Sequence, residues 1–95
     1  MRTAVVAAAV ALAETVAASD LELGRYLAAE CLTCHRAAAG QIPTLFGRTE
    51  ADLVALIQTY RDGTRPSPVM QTIAGRLREE EIAALARYFA VTRQP

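Results

Sequence analysis

Apolar residues along this chain fall into four stretches. Residues 3–13 are an almost unbroken Ala/Val-rich run with no period. Leu21, Leu27 and Ala28 follow at rough helical spacing up to Cys31. Leu53, Leu56, Ile57 and Tyr60 come at intervals of three, one and three, which is one face of an amphipathic helix. Ile82, Leu85, Ala86 and Phe89 repeat that pattern near the end. No segment alternates with a period of two, so the pattern predicts an all-α domain.

Punctuation between these stretches sets the expected boundaries. Ser19 and Glu22 fit a capping box that opens the first helix. Thr49 with Asp52 reads as the N-cap of the second, which should stop near Gly63. Glu79, Glu80 and Glu81 place three acids in the first turn of the last helix, where they favour its dipole. Between them lie two long connections. One, RAAAGQIPTLFG, carries Gly40, Pro43 and Gly47; the other, TRPSPVM, carries Pro66 and Pro68 and should be extended or turning. A short helix fits within residues 69–77. The expectation is three main helices, one short extra helix and long loops. Loops that long in a small domain usually carry function.

The opening run changes the domain count. Arg2 gives a short positive region, residues 3–13 an apolar core, and Val16 and Ala18 small residues before a cleavage point. That is the form of an export signal peptide over residues 1–18, leaving residues 19–95 as the mature domain and implying a periplasmic location. An Ala-rich helix of the mature protein and an uncleaved anchor are the alternatives. The run is shorter than the roughly 20 apolar residues that a spanning helix needs. A domain this small buries a marginal core and often depends on a staple.

Charge excludes one class of partner. Ten Lys+Arg balance ten Asp+Glu, and every basic residue is Arg. Without a basic stripe to follow phosphates, nucleic-acid binding is not expected. Near-zero net charge also argues against long-range steering and for an apolar contact with a partner.

The candidate chemistry is concentrated at C-L-T-C-H, residues 31–35, which holds both cysteines and the one histidine. A structural zinc site wants four ligands, commonly in two pairs, and there is no second pair. A thioredoxin-like redox pair wants a βαβ setting, which is missing. The third reading is covalent haem, for which C-x-x-C-H is the attachment signature. Residues three apart on a helical turn point to the same side, so Cys31 and Cys34 can both reach the vinyl groups on one edge of the macrocycle. His35 then turns onto the iron. For the other axial position the chain offers no second His and no Lys, and Met70 is the only methionine outside the leader. The sixth ligand is therefore Met70, a less common donor such as Tyr60, or nothing. Pro43, on the loop just after the motif, is a candidate acceptor for the imidazole Nδ1–H. Arg36, Arg61 and Arg65 lie near these loops, either as partners of haem propionates or as solvated surface charges.

With CLTCH, the GQIPTLFG loop and the lone downstream Met70 in view, the chain resembles the small bacterial form of class I (mitochondrial-type) cytochrome c. The resemblance implies three main helices and long loops around one haem c, with a proline carbonyl at the Pro43 position accepting the histidine hydrogen bond. It also implies that the first and last helices cross near a glycine and aromatics, for which Gly24 with Tyr88 or Phe89, and Tyr26, are suited. Two longer stretches, GRYLAAECLTCH and LIQTYRDGTRPSPVMQTIAGRLREEEIAALARYFA, are similar to the cytochrome subunit of flavocytochrome c sulfide dehydrogenase, over roughly residues 23–90. In that family the cytochrome accepts electrons from a flavoprotein subunit that oxidises sulfide. One departure is Arg78 where a Ser or Thr N-cap is expected, which weakens that helix start. No nucleophile–base pair exists beyond the haem ligands. The expected function is one-electron transfer rather than catalysis, as a subunit of a dehydrogenase or as a free carrier, with no membrane attachment once the leader is removed. A ligand-binding or peroxidase-like haem protein is the rival of a different class.

Overall fold

The computed structural model describes residues 20–36 and 42–93. The leader, Ser19 of the proposed capping box and Gly40 lie outside the described residues. Among those described, four helices form and no strand does. They are α1 (residues 20–31), α2 (Glu50–Arg61), α3 (Pro68–Gly75) and α4 (Glu79–Val91). None is long and apolar enough to cross a membrane.

The two strongest apolar stripes behave as their spacing requires. Thr49 caps α2 by accepting from the Asp52 amide at 3.1 Å. The helix closes at Asp62, and Gly63 follows at φ +79°, the left-handed geometry that glycine adopts without a Cβ penalty. Arg78 does stand at the N-cap of α4, and a guanidinium has no acceptor with which to cap. The other half of a capping box compensates: the Glu81 carboxylate accepts from the Arg78 amide at 2.9 Å. That hydrogen bond, helped by the Arg78 side chain 3.4 Å away, holds the Glu81 carboxyl below the usual carboxylate range.

The TRPSPVM connection is only partly extended. Pro68 is the first residue of α3, where a missing N–H costs nothing because no carbonyl awaits it. Ser67 caps this helix, its Oγ accepting from the Met70 amide at 3.3 Å.

One buried cluster joins the elements: Ala28 of α1, Phe46 of the following loop, Leu53 of α2, and Leu85, Ala86 and Phe89 of α4. Phe46 meets Phe89 edge-on with centroids 5.0 Å apart, and Tyr88 stacks edge-on against Phe89 at 5.3 Å. Each fully buried large side chain here contributes about 1.5–3 kcal/mol. Exposed pairs such as Arg76–Glu30, at 3.1 Å, contribute about 0–1 kcal/mol, so packing decides the fold.

Where α1 meets α4, Gly24 is buried against the Ala84 carbonyl and the Tyr88 side chain. Tyr26 is not part of this crossing. It is 79% exposed, because a residue two positions from Gly24 points to another side of the helix.

Two tests follow from this packing. A Cβ at Gly24 would collide with the Ala84 carbonyl and lie 2.7 Å from Tyr88 Cβ, so Gly24→Ala should lower stability by about 1–3 kcal/mol in urea unfolding. Glu81 has a lowered folded-state pKa, so its contribution is present above the ordinary glutamate value of about 4.3 and is lost as pH falls through the lower folded value. The stability gap between wild type and Glu81→Gln should therefore be open at neutral pH and close in acid.

Candidate cofactor site

C-L-T-C-H forms the turn that ends α1. The His35 amide donates to the Cys31 carbonyl at 2.9 Å and the Cys34 amide to the same carbonyl at 3.2 Å. Thr33 Oγ1 donates to the Glu30 carbonyl at 2.7 Å and tightens the turn. Neither cysteine is in a disulfide. Cys31 packs against the buried cluster, and burial, with the neighbouring Glu30 charge second, pushes its thiol up. Cys34 is exposed and faces a cavity of about 580 Å³, which His35, Pro43 and Met70 also line. Cys31 is not on that lining. Among the described residues no group of three or more His, Cys, Asp or Glu is arranged to hold a metal ion.

The imidazole has a fixed orientation. His35 Nδ1 lies 2.7 Å from the Pro43 carbonyl oxygen. An acceptor there requires the proton on Nδ1 and leaves Nε2 with its lone pair available. Met70 reaches the same cavity from the first turn of α3, with Val69 beside it. A helix capped by Ser67 thus sets its position.

The α2 stripe has a second use. Leu53, Leu56, Ile57 and Tyr60 all line the cavity, with Leu45 and Ile42 on the preceding loop. Tyr60 therefore shares the space with Met70. Arg65 lies on the lining as well, and so does Arg48, which the sequence reading missed. Its only advance signal was its place beside Gly47, next to the PTLFG loop. Arg61 is elsewhere: it pairs with Glu79, which also accepts from Gln58 Nε2 at 3.3 Å. Arg36 is not on the lining.

These residues fit a haem c. The volume lies in the range of cofactor pockets, the walls are mainly aliphatic, and thiol, imidazole and thioether donors meet at one space. Residues 20–89 match the model of the family described as cytochrome C oxidase, cbb3-type, subunit III. The chain belongs to this family of c-type cytochromes. Membership in a family of c-type cytochromes implies haem c as the cofactor type. The cytochrome is also 35% identical, over 68 residues, to the thiosulfate dehydrogenase electron acceptor of Stutzerimonas stutzeri (strain A1501). That alignment covers 64% of this chain and 32% of the relative, so the chain spans about a third of the length of the curated relative it matches.

Because the α3 cap positions Met70, Ser67→Ala should cost about 1 kcal/mol in urea unfolding, while Ser67→Asp, which can still cap, should cost less.

Proposed function

We propose that this cytochrome carries a single haem c, joined through thioethers to Cys31 and Cys34 and ligated by His35 and Met70, and that it works outside the cytoplasm as the electron acceptor of a dehydrogenase. When bound, the haem supplies a one-electron couple between ferrous and ferric iron. The observation that carries this reading is the 2.7 Å approach of His35 Nδ1 to the Pro43 carbonyl at a cavity that Met70 also lines. The Pro43 carbonyl holds the ring in one tautomer. A thioether at Met70 would raise the reduction potential. The aliphatic face of α2 keeps water from the ligands and so limits competing ligand chemistry. Residues 1–18 act as the export signal, which suits thioether formation outside the cytoplasm.

Two indications bear on the donor. The resemblance to the sulfide dehydrogenase cytochrome subunit suggests a flavoprotein subunit, and the relative is named for thiosulfate dehydrogenase. Both point to a dehydrogenase for an inorganic sulfur compound. We assign the flavoprotein subunit as the donor. The second reading, a free periplasmic shuttle, draws on the relative's name as an acceptor. Purification of the native protein separates them: a flavin-containing chain should travel with the cytochrome, and a flavin-free monomer would reject the subunit assignment. N-terminal sequencing of the same material should begin at Ser19 or Asp20.

Ligation is tested by spectrum. The ferric protein should show the weak far-red sulfur–iron band and bind carbon monoxide slowly when reduced. Met70→Ala should abolish the band, lower the potential and admit carbon monoxide rapidly. A band that survives Met70→Ala would remove Met70 from the iron.

A further inference from the structure

Met70 sits in the first turn of α3 and depends on that helix for its place at the cavity. An eight-residue helix does not persist alone in water, so its ends must be held. Its start is held twice. Ser67 caps it, and the Gln71 side chain lies over Gly63 just past α2, with Nε2 2.9 Å from where a Cβ on Gly63 would stand. Its far end is held from another element. Arg76, the C-cap, donates through Nη2 to Glu30 Oε1 at 3.1 Å, across 46 positions of sequence. Glu30 lies in the last turn of α1, directly before Cys31, and its carbonyl accepts the Thr33 hydroxyl that tightens the C-L-T-C-H turn. The pair thus links the helix that carries Met70 to the turn that carries His35. It is exposed, and packing rather than this pair decides the global fold. Opening one short helix costs far less than global unfolding, so a contribution of this size counts there.

We propose that Arg76 and Glu30 are positioning residues for the sixth ligand: their ion pair holds α3 against α1 and so keeps the Met70 thioether at the iron. This rests on the ligation reading above and adds to it the residues that set how often the thioether leaves. Along a helix the step from Met70 to Arg76 is about 9 Å, so Arg76 restrains the helix without touching the ligand. Glu22 and Arg25 provide the contrast. They are at least as exposed and lie on the same helix as Glu30, but their 3.8 Å contact stays within α1. That pair joins no two segments and has no leverage on Met70. Salt separates the cases further, because the Debye length falls from about 30 Å at 0.01 M to about 3 Å at 1 M. An exposed pair that holds a helix closed must loosen over that range.

The test uses the reduced holo-protein and the rate at which carbon monoxide replaces the thioether, which reads the fraction of molecules with Met70 off the iron. Arg76→Gln and Glu30→Gln should each raise that rate by about 1.5- to 5-fold. The double variant should match either single one, because both remove the same interaction. Arg76→Lys should return most of the way to wild type, and Arg25→Gln should leave the rate unchanged. In wild type the rate should rise between about 0.01 M and about 1 M salt, while in Arg76→Gln it should stay nearly flat. Unchanged rates in both glutamine variants, additive effects in the double variant, or an equal rise in Arg25→Gln overturn the pair while leaving the ligation reading intact. If a glutamine variant fails to accumulate, the salt response of wild type decides, and a flat response overturns the pair. A wild-type protein without the far-red band removes Met70 from the iron and sinks both.

Discussion

The interior of this chain is divided between side chains and a cavity, and the rest of the architecture answers to that division. The face of α2 that begins with Leu53 in the aromatic cluster continues through Leu56, Ile57 and Tyr60 into the lining of a 580 Å³ space. A domain this size cannot close such a space with its own residues. The burial available to Phe46, Leu85 and Phe89 holds one side together. The other side is built to be finished by a cofactor, whose apolar area would be buried at roughly 25 cal/mol per Å². Fold and binding site thus share one helix, α2.

The main helices were legible because their signals agree at several levels. In α2 a 3.6-residue stripe, a Thr49 cap and a Gly63 stop all point to the same ends. In α4 the cap signal is defective at Arg78, yet three glutamates and an apolar stripe specify the helix, and Glu81 repairs the start. Pro68 misled for a local reason: proline breaks a helix everywhere except its first turn, and a sequence does not say which turn it occupies until Ser67 is recognised as a cap. Tyr26 misled because helical proximity in number is not proximity in direction.

The placement of site residues was partly legible as well. Composition alone narrowed the donors, since one histidine, two cysteines and one methionine outside the leader leave few combinations. Pro43 could be anticipated because a loop carbonyl after the motif is within reach of a ring that needs an acceptor. Arg48 could not, because ten arginines look alike in a sequence and only folding separates those that meet carboxylates from those that face the cavity. Tertiary pairing with Glu79 likewise took Arg61 away from the loops it borders.

The walls that carry His35 and Met70 are built with unequal stiffness. His35 lies on a turn that closes α1 and is braced by a hydrogen bond to a residue eight positions away. Met70 belongs to an eight-residue helix, shorter than one that persists alone in water, so its order is borrowed from packing on α2. Fraying of that helix needs no disturbance of the aromatic cluster. Local opening is therefore expected first at α3, while the hydrogen-bonded turn that carries His35 keeps its brace.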